Sequence, residues 1–448
     1  MAAVERVEIT RHALDKVPLS LIVDDSAPVV NLNHFFLRDR IRHTGQYQRW
    51  EDVPVSIPEA FTREWAEWCA AHGVKGKYSV VPCPAGIGRI DQGLPLFDRQ
   101  QLESWLAVCR ETIVPNFDVT PEMLTHTFIL DPETLKPLPD RPWEQYEWRS
   151  FGEGEAERVG TYIELACRIL ANVDLPPQGV TSPGGFGGQS LPLYVRLAGE
   201  AVRRVTGNPT PYVFQRVSAN SEDRGLATGD DKRLGSVPGG RPVDTPVWYA
   251  DRVAGTAVGE AIACVGDHTG SWTGYGEADP DRYITEDLQG GRLVQVIGNG
   301  DPCILVSHWQ GFYGMHDDDR RGFRALQIVV DRLRQLDPWG ERTVWRKTSE
   351  ITTYSCMRAL AKVDVAASDD GSIGVKLDLP LRMPELTLRL TGLGAGRERR
   401  VCVDGRPLDR AASRAAFRSG TYVLEEDALL LAFDPAARRS VVELDVPR

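Results

Sequence analysis

The sequence predicts an α/β protein, a (β/α)7 barrel followed by a small C-terminal antiparallel β-sandwich. Three observations predict it. A short apolar run ending in polar or small residues recurs seven times, and helical periodicity fills the intervals between these runs. After about Lys362 the texture changes to alternating runs separated by Gly, Pro and Asp, with no room for crossover helices. The chain has 448 residues, 42% of them hydrophobic and 26% charged, an ordinary globular composition. The expected division is a barrel over 1–360, with a loop insertion near 218–246, and a β-sandwich over 361–448.

The first run, Pro18 to Val23, ends in Asp24-Asp25, and the second, Lys77 to Val81, enters a Pro-Cys-Pro-Ala-Gly turn. The third is expected over Met123 to Leu130, and the fourth is Gly179-Val180-Thr181, closed by Ser182-Pro183-Gly184-Gly185. Tyr212 to Gln215, Ala261 to Val265 before Asp267-His268, and Cys303 to Val306 before Ser307-His308-Trp309 complete the set. Between them, Phe61, Trp65, Trp68 and Cys69 form one helical stripe, and Leu102 to Val108, Tyr162 to Leu170 and Leu191 to Val205 read the same way. Strands of the sandwich are expected at Gly374 to Leu379, Leu386 to Leu390, Arg400 to Val403 and Val441 to Val446. The segment from Ser218 to Pro246, rich in Gly, Asp, Arg and Pro, reads either as a mobile loop over the site or as a long surface insertion.

Charge and composition exclude several classes of function. The 52 Lys and Arg against 63 Asp and Glu give a net charge of −11, which offers no general attraction to nucleic acid. No apolar run reaches the roughly 18 to 20 residues of a membrane helix, and the first twenty residues carry charges throughout, without the apolar core of a secretory signal. The 8 cysteines are scattered singly and form no CxxC pair, as expected of reduced thiols in a cytoplasmic protein. GxSxG, HExxH and kinase signatures are absent, and SPGGFGGQ lacks the Gly-Lys-Ser/Thr of a phosphate loop.

In parallel α/β barrels the chemistry lies at the C-terminal strand ends. Asp24, Asp25, His126, Ser182 to Gly188, Asp267, His268 and His308 all fall there. Asp and His at one mouth form a ligand set for zinc or a similar divalent ion, with a spare carboxylate as general base. Two adjacent carboxylates repel unless one is protonated or a cation neutralises them; capping of the following helix is the bland alternative. In His308-Trp309-Gln310-Gly311-Phe312-Tyr313 the aromatics Trp309 and Tyr313 suit the apolar faces of sugar rings, or else plug the barrel. Ser182 and Gly185 are expected to bring backbone close to a substrate. Asp267 and His268 are read as an acid, a metal ligand or a clamp orienting His308, with an exposed loop pair as the alternative.

An apolar strand ending in Asp-Asp, a Thr-His-Thr stretch and a last strand ending in His together resemble the polysaccharide deacetylase (NodB-homology) superfamily. The resemblance implies a deformed (β/α)7 barrel of metal-dependent carbohydrate hydrolases. It implies Asp24 as general base, Asp25 and His126 as metal ligands, and His308 as general acid. Leu130 stands where the second metal histidine would be, so Asp131 is expected as the third ligand. The implied partner is an oligosaccharide or polysaccharide, with neither nucleic acid nor membrane involved. Two other functions stay open: a glycoside hydrolase pairing Asp24 or Asp25 with Asp267, and a carbohydrate-binding protein without catalysis. Oligomeric state is not legible.

Overall fold

In the computed structural model, the structure describes residues 6–29, 56–95, 97–217, 245–269, 278–314, 320–367, 372–392, 400–426 and 428–445. The expected insertion at 218–246 therefore lies outside the described residues except for its last two. The chain is a mixed α/β protein, with four sheets among the described residues.

In chain order, the elements begin with β1 (Arg6–Ile9), β2 (Val17–Ser26), α1 (Glu59–Ala71), β3 (Gly76–Val80), α2 (Arg99–Val108) and β4 (Phe117–Pro121). Next come α3 (Ala156–Asn172), β5 (Gly179–Thr181), α4 (Leu191–Thr206), β6 (Tyr212–Val217), β7 (Val247–Asp251), β8 (Thr256–Ala263) and β9 (Cys303–His308). Then follow α5 (Arg321–Leu336), β10 (Thr343–Trp345) and α6 (Thr348–Leu360).

Every residue of β2 is buried, as an apolar parallel strand flanked on both sides should be. It pairs in parallel with β3 on one side and β9 on the other, and β3 pairs in parallel with β4. Pro18 stands opposite Val344 of β10 and is tolerated because the Val17 amide donates on that side, to the Arg342 carbonyl at 2.8 Å, while the ladder with β3 begins only at Leu21. A parallel bridge between Glu122 and Thr181 carries the ladder from β4 to β5, which pairs with β6, and β6 with β8. The Cys264 amide donates to the Ile304 carbonyl at 2.8 Å and joins the β8 side to β9. Strand β7 is an antiparallel addition to β8 that the sequence reading did not anticipate.

The helices form as their periodicity dictates. Phe61, Trp65, Ala66 and Cys69 bury one face of α1, a reciprocal Asp98–Gln101 capping box starts α2, and α4 stops at Gly207, which takes a left-handed φ of 73°. Helix α6 lies across the starts of the strands. Its Ser349 amide and hydroxyl donate to Asp118 of β4 at 2.5 and 2.7 Å, and its Thr348 hydroxyl bonds Ser20 of β2 at 3.0 Å.

The third strand falls at Phe117–Pro121 and not at Met123 to Leu130. Met123 and His126 take φ values of 49° and 60°, which no ladder accommodates, and the amides of Leu124, Thr125 and His126 bond instead to the Glu144 carboxylate.

The remaining strands are β11 (Lys362–Ala367), β12 (Ile373–Asp378), β13 (Leu386–Thr391), β14 (Arg400–Val403), the two-residue β15 (Arg406–Pro407) and β16 (Asp409–Arg410), β17 (Thr421–Leu424), β18 (Ala428–Phe433) and β19 (Arg439–Asp445). They build two five-stranded sheets, ordered β1-β13-β18-β17-β16 and β11-β12-β19-β14-β15. Val375, Leu377, Leu388, Leu390, Leu431 and Leu444 pack together in one apolar cluster drawn from both sheets. Strand β1 pairs antiparallel with β13, so residues 6–9 join these sheets although the sequence places them with the first unit. All eight cysteines are free and buried. Among the described residues no helix is long and apolar enough to cross a membrane.

Candidate metal and catalytic site

The end of β2 carries a β-bulge: Val23 stands opposite Tyr78 of β3, but Val80 stands opposite Ser26, so β2 has one extra residue. Successive strand residues normally point to opposite faces. Here Asp25 takes a left-handed φ of 67°, and the bulge re-aims its carboxylate. Asp tolerates this conformation better than most residues.

Asp25, Glu122 and His126 converge, each offering a ligand atom, with all three atoms within 4.8 Å of one another. Asp25 Oδ1 lies 2.9 Å and Glu122 Oε1 3.4 Å from His126 Nε2, and all three side chains are buried. Glu122 is anchored through Oε2, which accepts the Asp25 amide at 2.7 Å and the Ser79 hydroxyl at 2.5 Å. Burial alone disfavours a charged His126, yet the two facing carboxylates outweigh it and raise the imidazole to about 10. A divalent cation answers the same need for positive charge, and an oxygen and imidazole donor set suits the zinc class.

Two consecutive residues of the short helix Glu144–Glu147 hold His126. Glu144 accepts the amides of Leu124, Thr125 and His126 at 3.2, 2.9 and 2.7 Å, together with the Tyr162 hydroxyl. Burial pushes its carboxyl up to about 7, against these hydrogen bonds. The Gln145 amide lies 3.0 Å from His126 Nδ1. The same amide nitrogen lies 3.4 Å from Nε2, so this amide fixes the imidazole ring from one side. The glycine-rich loop packs behind it. A Cβ on Gly184 would meet Gln145 Oε1 at 2.9 Å, and one on Gly187 would meet the Tyr194 ring at 2.5 Å, both at positive φ.

Asp24 is completely buried, with Oδ1 2.5 Å from the ammonium of the equally buried Lys77. Lys77 also donates to Thr181 Oγ1 at 2.6 Å and lies 4.9 Å from the Phe214 ring centroid. His308 is the ladder partner of Asp24, on the adjacent parallel strand. Its Nδ1 bonds Asp267 Oδ2 at 2.8 Å, while Asp267 Oδ1 accepts the amide and hydroxyl of Thr269 at 2.8 and 2.7 Å. Asp267 is placed to orient the His308 ring.

Several expected site residues stand elsewhere. Asp131 is half-buried, its carboxylate accepting the Glu133 and Thr134 amides and the Thr134 hydroxyl, which draws its pKa down. It closes a turn, and Glu122 is the third group that converges with Asp25 and His126. Trp309 is fully buried against Phe61, Trp65, Tyr78 and Phe312, so the aromatic plug replaces the sugar platform. Tyr313 packs on Phe61 with ring centroids 5.2 Å apart. Ser182 and Gly185 are buried in the glycine-rich loop, and His268, also buried, lies edge-on to Tyr283. Glu122 escaped sequence reasoning because the third strand was placed six residues late. With β4 ending at Pro121, Glu122 follows a strand end directly. Lys77 and Ser79 alternate with apolar residues in Gly-Lys-Tyr-Ser-Val, a period-2 sign of inward polar groups.

No protein-family model matches this sequence, and neither does any curated protein. Among solved structures the chain is similar to a Nostoc punctiforme debranching enzyme in its native form (10% identity, TM-score 0.35, covering 98% of this chain and 100% of that one). It is also similar to an engineered protein, a Northeast Structural Genomics Consortium target (12% identity, TM-score 0.27, 97% and 94% covered). A third is a glucosidase from Croceicoccus marinus (9% identity, TM-score 0.21, 100% of each chain covered).

Proposed function

We propose that the protein is a metal-dependent hydrolase of acylated carbohydrate, deacetylase-like, with its site at the C-terminal mouth of a deformed (β/α)7 barrel. In this reading β2, β3, β4, β5, β6, β8 and β9 are the seven barrel strands, and the two C-terminal sheets form a β-sandwich. The observation that carries the reaction is the convergence of Asp25, Glu122 and His126 beside a separate Asp24–His308 strand pair. The sugar assignment rests on the order Asp24-Asp25, His126, His308, which resembles polysaccharide deacetylases.

Asp25, Glu122 and His126 would hold the ion. When bound, a divalent cation there polarises an acyl carbonyl and acidifies water. Asp24, ion-paired with Lys77, takes the proton from the attacking water. His308, oriented through Nδ1 by Asp267, returns a proton to the departing sugar oxygen or nitrogen from Nε2. The bond of Asp267 to His308 weighs against the glycosidase reading, which requires that carboxylate as a free acid or nucleophile.

The test is a panel of acetylated and unacetylated oligosaccharides, with and without chelator, followed for acetate and for new reducing ends. Acetate that appears only with metal and is lost in His308→Ala supports the proposal. Chelator-resistant reducing ends abolished by Asp267→Ala would move the protein to the glycosidases.

A further inference from the structure

A cavity of about 180 Å³ lies where β10 and the start of α6 face the segment before β13. It borders Pro18 at the start of β2, six residues and thus about 20 Å along the strand from Asp24. Its walls are largely apolar, with Pro18, Ile351, Met383 and Pro384 among them.

One cation on this lining is without a counter-ion. Lys16 is 7% exposed, and its ammonium has no hydrogen-bond or ion-pair partner among the described residues. The anions nearest in influence are engaged elsewhere. Glu385 is paired with Arg346, and Asp337 accepts the amides of Glu341, Arg342 and Thr343 and the Thr343 hydroxyl. Burial first, and then the neighbouring Arg414, lower the pKa of Lys16, as expected of a cation short of negative charge.

We propose that this cavity is a binding site for a small monocarboxylate with an apolar body, whose carboxylate meets Lys16. A lysine side chain 7% exposed beside apolar walls fits an anionic head on a hydrophobic frame. Cavities of about 150 Å³ admit a benzene-sized guest, so the volume suits a ligand of benzoate size. The Glu350 and Glu385 carboxylates on the same lining disfavour a dianion such as phosphate.

The test is calorimetric titration of the full chain with sodium benzoate, with sodium acetate and inorganic phosphate as comparisons. Saturable binding of one benzoate per chain, weaker for acetate and absent for phosphate, is expected. Lys16→Met should weaken benzoate at least tenfold while leaving the ligand-free melting temperature equal or higher, because an uncompensated buried charge has gone. Lys16→Arg should retain binding, and Lys16→Gln repeats the loss with a polar side chain should the methionine variant fail to fold. Absence of saturable benzoate binding, affinity unchanged in both Lys16→Met and Lys16→Gln, or tighter binding of phosphate would overturn the assignment.

Discussion

Replacing Lys77 by Met tests whether Asp24 is held as a carboxylate. Both side chains are 0% exposed, and the ammonium lies 2.5 Å from Asp24 Oδ1. The Ser79 hydroxyl also donates to that oxygen, but from 3.5 Å, at the limit of a hydrogen bond, and it carries no charge to replace the lysine's. Methionine fills the volume beside Phe214 but strands Asp24 without its cation. Breaking a buried pair from one side costs about 3–5 kcal/mol. At about 2 °C per kcal/mol for a unit of this size, the melting temperature should fall by about 6–10 °C. The double variant Lys77→Met/Asp24→Leu removes both charges and should recover most of that loss, since apolar replacement of a whole buried pair is often neutral. Scanning calorimetry on the wild type, both single variants and the double variant closes the cycle. A Lys77→Met variant within about 1 °C of wild type, or a double variant no better than the single one, would refute the ionic account of Asp24 and with it Asp24 as base.

Glu122→Ala should lose bound divalent ion, read by elemental analysis of the purified protein, because it deletes one of three converging donors; retained stoichiometry would return the third-ligand role to another group. Glu144→Gln puts an amide NH2 against the backbone donors of residues 124–126 and should cost about 2 kcal/mol, with at least a tenfold loss of ion affinity as His126 loosens. Its measurement is paired calorimetry of unfolding and of zinc binding, and full affinity in the variant would deny Glu144 a positioning role. Asp118 supplies the pH prediction. Burial raises its carboxyl from 3.8 to about 6, the Ser349 hydrogen bonds notwithstanding. A raised folded-state pKa contributes stability that is full below about 4 and is lost as pH rises through about 6. Asp118→Asn should therefore gain on the wild type by about 3 kcal/mol between pH 4 and pH 7. A constant difference in melting temperature across that window would contradict the shift.

The architecture was legible where one physical signal governs. The stripe of Phe61, Trp65 and Cys69 fixed α1, and the uninterrupted run from Leu19 to Val23 fixed β2, since hydrophobic periodicity decides both. The third strand was misplaced because Met123 to Leu130 is as apolar as a strand while its backbone takes left-handed turns. Only the carboxylate of Glu144, some twenty residues on, makes those turns affordable by accepting the amides that a ladder would have used. The pairing of β1 escaped sequence reasoning for a similar reason: its partner β13 lies nearly 400 residues away, and nothing local reports it.

The candidate site was legible by residue type and not by arrangement. Asp24-Asp25, His126 and His308 announce themselves as titratable groups at strand ends, but adjacent strand residues point oppositely, so the sequence alone leaves the two aspartates on different faces. The bulge at Asp25 resolves this and divides their chemistry. Asp24 stays in the regular ladder opposite His308 and beside Lys77, whereas Asp25 turns out of it, donates its amide to Glu122 and directs its carboxylate to His126. One inserted residue thus separates a carboxylate neutralised by a lysine from one left facing a second carboxylate and an imidazole. The first arrangement is complete without an ion. The second gathers two acidic groups around a single titratable cation, which is the physical reason we propose the ion for Asp25, Glu122 and His126 and the proton transfer for Asp24.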